Sequence, residues 1–327
     1  MIAVVLFSGG LDSTLAVRIL QEQGVDVEAL AVKTTFCNAD EAILRAGELA
    51  GARLTVRSMR DDYVDLLRNP PHGYGKACNP CLDCRAYMVK MARQFMLEVE
   101  ASFVATGEIL GQRPMSQKKR DLRIIEETAR LEGRLLRPLS AKLLRPTIPE
   151  QVGDVDRDKL YGFSGRRRGE LIELAEKFGI KNVPGPSVGC PITEKSFSPR
   201  FLDLLKFEKK LSNCDFELLN FGRHFRFDSK TKVVIGRNVR DNSALRWFAG
   251  RCEMSDAALV YPENFRGPDM LVVGNVSQEA IRFAAGMMLR YARKAEPGNA
   301  YVWVTQGGVY RRLQAREDET AMSPQGF

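Results

Sequence analysis

The stretch that most constrains this chain lies at its start. Ile2-Ala3-Val4-Val5-Leu6-Phe7 is a short apolar run rich in β-formers, the pattern of a buried strand. It passes directly into Ser8-Gly9-Gly10-Leu11-Asp12-Ser13, and then into Thr14 to Leu20, which reads as a helix. Paired glycines between a strand and a helix let the backbone take positive φ and bring its N–H groups close to a ligand. The first helical turn adds unpaired donors and the positive end of the helix dipole. Asp12 or Ser13 suits the N-cap, and the hydroxyls of Ser8 and Ser13 can donate to a phosphate oxygen. An anion site is predicted, with phosphate the best-fitting ligand. The loop has neither the Lys of Gly-x-x-x-x-Gly-Lys-Ser/Thr nor the three glycines of the dinucleotide fingerprint.

Up to about residue 110, strand and helix patterns alternate. Strands are predicted over 25–32, 52–57 and 103–107, and helices over 39–50, 61–67 and 85–99. This spacing predicts an α/β fold with a doubly wound parallel sheet, whose ligands bind off the carboxyl ends of the strands near the switch point. The loops Ser8–Ser13 and Thr106-Gly107-Glu108 would share that edge. Further helices are expected over 122–133, 158–178 and 201–211. Beyond about residue 212 the pattern changes to paired strands (221–227 and 233–236), a helix (277–295) and a hairpin (301–304 with 309–313) around Gly307-Gly308. The expected domains are therefore residues 1–205, a smaller α+β domain over 212–316, and a loose tail over 317–327.

Seven cysteines is an odd count, and three of them fall within Cys78-Asn79-Pro80-Cys81-Leu82-Asp83-Cys84. That cluster precedes a predicted helix whose dipole favours thiolates, and it points to metal or redox chemistry more than to structural disulfides. Cys190 stands in a Gly-Cys-Pro loop, whereas Cys37, Cys214 and Cys252 have no partner at useful spacing and read as structural. The net charge of +8, with the clusters Lys118-Lys119-Arg120 and Arg166-Arg167-Arg168, favours a polyanionic partner. No apolar run approaches a membrane span and no signal peptide is visible, so a cytoplasmic location is expected.

Ser-Gly-Gly-x-Asp-Ser resembles the PP-loop of the ATP pyrophosphatase superfamily, whose members cleave ATP to AMP and pyrophosphate while adenylating a substrate oxygen. The resemblance implies that Ser8, Gly9, Gly10 and Ser13 hold pyrophosphate, with Asp12 near Mg²⁺. Val32 and Lys33 would meet the adenine edge, and Thr106, Gly107, Glu108 and Gly111-Gln112-Arg113 would close on nucleotide or substrate. Arg113 or Lys142 would balance triphosphate charge. A PP-loop followed by Asn-Pro-Cys-x-x-Cys and Gly-Cys is similar to the tRNA thiolation enzymes, tRNA 2-thiouridylase and 4-thiouridine synthetase, over roughly residues 1–205. In one branch two cysteines carry sulfur as a persulfide and a transient disulfide. In the other, three cysteines hold a [4Fe–4S] cluster, and this is the route expected here. By that likeness Cys84 and Cys190 match the catalytic pair and Cys81 is the third cluster ligand. Cys78 is extra to the pattern, and no stretch of this sequence reads as the RNA-binding THUMP domain expected at the front of a full-length 4-thiouridine synthetase. Residues 222–226 and 234–238 resemble the NFACT RNA-binding domain, mixing basic and aromatic side chains.

The expected activity is thus ATP-dependent thiolation of a tRNA uridine, with tRNA, a sulfur donor (cysteine desulfurase or inorganic sulfide) and a second copy of the chain as partners. The alternatives are a zinc-holding PP-loop enzyme of the 7-cyano-7-deazaguanine synthase type, another adenylating ligase without sulfur chemistry, or an RNA-binding protein with a decayed loop.

Overall fold

The computed structural model describes residues 1–327 except 35, 37–38, 61, 186–188, 196, 209, 252–255, 293–294, 297, 318–324 and 327. Cys37 and Cys252 therefore lie outside the described residues. The chain divides into two units, Met1–Cys190 and Pro191–Phe327.

The first unit runs β1 (Ile2–Leu6), α1 (Leu11–Glu22), β2 (Asp26–Lys33), α2 (Asp40–Leu44), β3 (Arg53–Ser58), α3 (Asp62–Arg68), α4 (Cys81–Glu98), β4 (Phe103–Thr106), α5 (Lys119–Ala129), β5 (Leu135–Leu136), α6 (Ile148–Gln151) and α7 (Gly169–Lys177). The five strands form one sheet in the order β3-β2-β1-β4-β5, with every pairing parallel. Ala3, Val4 and Val5 are all fully buried. Ala3 and Val5 pack in a core with Leu15 and Ile19 of α1 and Leu171 and Leu174 of α7. A strand covered on both faces needs apolar residues at every position, which is why β1 reads as a continuous run. The chain moves outward from β1 to β3 and then returns to β4, so the order reverses between β1 and β4. That reversal opens a crevice at their carboxyl ends.

The stretch 158–178 departs from the helix expected there. Only Gly169–Lys177 is α-helical; residues 160–165 form a non-helical stretch, with Phe163 N donating to Leu139 O and Gly165 N to Leu110 O. Tyr161 and Phe163 are half-buried against the first core, so tertiary packing overrides the helical composition. The Arg166–Arg168 run consequently lies on a connection.

The second unit contains α8 (Ser198–Phe207), α9 (Asn213–Leu218), β6 (Arg223–Asp228), β7 (Thr231–Ile235), α10 (Val239–Ala249), β8 (Ala257–Pro262), β9 (Met270–Gly274), α11 (Gln278–Tyr291), β10 (Tyr301–Gln306), β11 (Val309–Gln314) and β12 (Gln325–Gly326). Its strands form an antiparallel sheet ordered β11-β10-β8-β9-β7-β6-β12. One face packs on α11 through Val233, Val260, Val272 and Val302, and the other on α10 through Val234, Leu259 and Leu271. α10, β8 and β9 are additions to the sequence expectation. Of the tail, Gln325 and Gly326 pair with Arg226 and Phe225. No helix among the described residues is long and apolar enough to cross a membrane.

Two glycines in the first unit make close approaches. Gly9 has φ +78°, and a Cβ there would lie 2.5 Å from the backbone carbon of Glu41. A Cβ on Gly107 would stand 2.5 Å from Asp12 O and from Ser13 N, so the end of β4 abuts the first turn of α1. Gly107→Ala should therefore lower stability by roughly 1–3 kcal/mol, as overpacking does. Gly169→Ala, in open space at a helix start, should leave the thermal midpoint within a degree or two.

Candidate active site

The Ser8–Ser13 loop closes on itself through short hydrogen bonds. Ser13 Oγ donates to Gly10 O (2.9 Å), Ser8 N donates to Ser13 Oγ (3.2 Å), and Thr14 Oγ1 donates to Gly10 O (3.1 Å). Gly10 is the extended residue before α1 and has no side chain to cap it. Ser8 is exposed beside the buried Gly9. The loop thus presents a hydroxyl and a helix N-terminus, the arrangement that suits an anion.

Asp12 follows on α1. Gln112 Nε2 donates to Asp12 Oδ2 at 2.8 Å. Burial holds the Asp12 carboxyl above its usual range, against the Gln112 amide and the nearby Arg168 and Arg113 guanidiniums, which pull it down. Arg166 Nε donates to Gln112 O at 3.2 Å. Arg113 and Arg168 therefore approach the loop from two connections, while Lys142 turns away and donates to Asp158 O. Val32, buried, and Lys33, exposed, end β2 on the same carboxyl edge. One carboxylate among cationic side chains fits a divalent ion that arrives with phosphate oxygens, which supply most of the ligands Mg²⁺ requires.

Thr106 and Glu108 serve the interior. Glu108 is fully buried, and Arg85 Nε (2.8 Å) and Arg137 Nε (3.0 Å) donate to its two oxygens. Thr106 Oγ1 adds a third bond at 3.1 Å, and Arg137 also pairs with Glu126 of α5. Burial alone would raise the Glu108 pKa, but Arg85 and then Arg137 outweigh it and bring it to about 2. Arg85 belongs to α4, so this carboxylate ties the cysteine helix to the end of β4.

Cys81 and Cys84 occupy the first turn of α4. Cys84 Sγ lies 3.1 Å from the hydroxyl of Tyr63, a fully buried residue of α3 that also bonds Thr34. Burial pushes the Cys84 thiol up to about 12; the Tyr63 hydroxyl and Arg85 oppose this, while Cys190 and Cys81 reinforce it. Cys84 retains some solvent exposure despite this enclosure. Cys190, over a hundred residues on, is close enough to act electrostatically on both Cys84 and Tyr63. Cys81 Sγ donates instead to Ser116 Oγ at 3.3 Å. Cys78 is half-exposed, at φ +65°, and Cys214 is buried in the second unit.

Among the described residues no three His, Cys, Asp or Glu side chains are arranged to hold a metal ion. An iron–sulfur cluster on Cys81, Cys84 and Cys190 needs three thiolates facing one centre. Here Cys81 Sγ is engaged with Ser116 and Cys84 Sγ with Tyr63, so the three thiols do not face one centre.

Tyr63, Thr34 and Ser116 escape sequence reasoning. Tyr63 lies on the apolar face of a short helix, and no spacing relates it to residue 84. His72 is also new. Its Nδ1 lies 2.6 Å from Asp83 Oδ1 and its backbone N donates to Asp83 Oδ2, which anchors the loop before the cysteines to α4.

Residues 2–142 match the family described as thiamine biosynthesis protein (ThiI), and residues 222–319 match the NFACT protein RNA binding domain. The tRNA-specific 2-thiouridylase MnmA 1 of Fusobacterium nucleatum subsp. nucleatum is 28% identical over 184 residues, 54% of this chain and 45% of that protein. The tRNA-specific 2-thiouridylase MnmA of Sulfurimonas denitrificans is 31% identical over 32% of this chain and 33% of its own length. That of Burkholderia multivorans is 24% identical over 98% of this chain and 87% of its own. The chain thus spans less than half of the first two relatives and most of the third. A crystal structure of a 4-thiouridine synthetase–RNA complex with bound ATP aligns with TM-score 0.38 at 23% identity, over 54% of this chain and 40% of that one.

Acid titration tests the Glu108 clamp. Its folded pKa lies below its ordinary 4.5, so its contribution is complete above that value and is lost as pH falls toward 2. Glu108→Gln should cost about 3–5 kcal/mol at pH 7. The deficit relative to wild type, read by denaturant unfolding, should shrink as pH falls from 5 to 2. The chain thus carries one segment, residues 2–142, that matches the thiamine biosynthesis protein (ThiI) family, and a second, residues 222–319, that matches the NFACT protein RNA binding domain.

Proposed function

We propose that this protein thiolates a uridine of tRNA at the expense of ATP. The observation that carries the reading is that Cys190 lies within electrostatic reach of both Cys84 and Tyr63, in the unit that also presents the Ser8–Ser13 loop. A uridine carbonyl resists sulfur because oxide is a poor leaving group. Transfer of AMP from ATP to that oxygen releases pyrophosphate and turns the oxygen into a good leaving group. Ser8, Gly9, Gly10 and Ser13 would hold the pyrophosphate, Arg113 and Arg168 would offset its charge, and Asp12 would hold the Mg²⁺ that arrives with the nucleotide. Val32 and Lys33 would border the adenine. Thr106 and Gly107 shape the crevice from below, through Glu108 and the α1 backbone.

The sulfur step uses two cysteines. The terminal sulfur of a cysteine persulfide attacks the activated carbon and expels AMP. The second cysteine, as thiolate, attacks the protein-side sulfur and breaks the S–S bond. The electron pair of that bond leaves with the sulfur as the thiocarbonyl, and a Cys84–Cys190 disulfide remains. A persulfide donor supplies the sulfur and an external thiol reduces the disulfide. The Tyr63 hydroxyl stabilises the Cys84 thiolate by hydrogen bonding, against burial that otherwise keeps the thiol protonated. The two-cysteine route is favoured over the cluster because Cys81 is engaged with Ser116.

Nucleoside mass spectrometry of tRNA from a deletion strain, complemented with variants, tests this. Cys84→Ala and Cys190→Ala should each reduce the thionucleoside at least 100-fold, whereas Cys81→Ala and Cys214→Ala should retain it. Loss on Cys81→Ala, with iron and labile sulfide in anaerobically purified protein, would restore the cluster route. Full thionucleoside in every variant would remove the sulfur assignment.

A further inference from the structure

Side-chain alternation in β10 divides its residues between two environments. Val302 and Val304 enter the core against α11, so Tyr301, Trp303 and Thr305 lie on the opposite face. Register places Arg312 of β11 and Tyr261 of β8 on either side of Trp303, and Tyr310 beside Thr305. On this face α10 packs over β8 and β9 with Leu245 and Phe248. Tyr301, Trp303 and Thr305 keep partial exposure, and Tyr310 is 64% exposed.

Two arginines of this face lie over its rings. Arg312 Cζ lies 3.8 Å from the Tyr301 centroid, with its Nε donating to Glu263 at 2.8 Å. Arg246 Cζ lies 5.4 Å from the Tyr261 centroid, with its Nε donating to Asp269 at 2.6 Å. Carboxylate partners fix each guanidinium while its outer edge stays exposed to solvent. Residues 191–327 carry 21 Lys and Arg against 16 Asp and Glu.

We propose that the face formed by Arg312, Trp303 and Tyr261, with Tyr301 and Tyr310 beside them, is a stacking platform for unpaired nucleotides of RNA. Base–aromatic stacking requires the flat face of a base, and a duplex hides those faces within its own stack. The positive balance suits a phosphate backbone running across the strands, where an acidic or neutral protein partner would not need the arginine–ring pairs. The proposal deepens the tRNA reading above and rests on RNA being the substrate, but it concerns binding alone.

The chain has two tryptophans, Trp247 and Trp303. In a Trp247→Phe full-length protein, emission reports Trp303. Titration with a single-stranded 12-nucleotide oligouridylate should quench it, and a 12-base-pair RNA duplex should not. Arg312→Ala and Trp303→Ala should weaken single-strand binding, by filter retention, roughly 5–150-fold, the range of one lost stacking contact. Trp303→Phe, which keeps a ring, should stay within a few-fold of wild type, and thermal melting verifies that each variant is folded. Unchanged affinity in folded Arg312→Ala and Trp303→Ala, or equal binding of the duplex without quenching, would overturn the proposal. Loss of thionucleoside dependence on Cys84 with Trp303-dependent RNA binding intact would sink the thiolation reading and spare this face; the converse result would do the reverse.

Discussion

A carboxylate with no access to water survives only if cations surround it, and Glu108 has two, Arg85 from α4 and Arg137 from the segment after β5. This pairing settles the position of the helix that starts with Cys81 and Cys84. The preceding residue, Gly107, lies against the backbone at Asp12 and Ser13. The end of β4 therefore touches the anion loop with one residue and holds the cysteine helix with the next. Removing one partner of such an ion pair leaves a buried charge unpaired, which costs far more than the pair contributes in isolation.

The same geometry explains the division of labour on the carboxyl edge. The side chains on that edge separate into two groups. Asp12, Gln112, Arg113 and Arg168 gather in mutual contact or electrostatic reach. Thr106 spends its hydroxyl on Glu108 and contributes shape. On the sulfur side, Tyr63 offers a hydroxyl to a thiol that burial keeps protonated, so a bonded partner and not a helix dipole alone tunes Cys84.

The parallel sheet and its switch point were legible because β1 and β4 are uninterrupted apolar runs and the glycines sit at their ends. The arginine run at 166–168 was legible as charge but not as position. Apolar residues at 160–163 look helical in sequence yet bond through Tyr161 N and Phe163 N to Pro138 O and Leu139 O. Tyr63 and Ser116 could not be read, since their roles arise from contacts across 21 and 35 residues. In the second unit, β8 and β9 carry apolar residues on both faces and have no Gly-Gly turn between them such as the one that marks the hairpin of β10 and β11. The preference for a three-cysteine cluster came from the resemblance to the thiolation enzymes, which carries no information on where Cys81 points; its Sγ is engaged with Ser116.

The central claim is that Cys84 and Cys190 act on the same sulfur atom. Its most direct measurement is non-reducing peptide mass spectrometry of persulfide-loaded protein after a single turnover with ATP and tRNA. The account predicts a disulfide-linked pair of peptides containing Cys84 and Cys190, formed in proportion to the thionucleoside produced. Thionucleoside formed with both cysteines recovered as free thiols would contradict it.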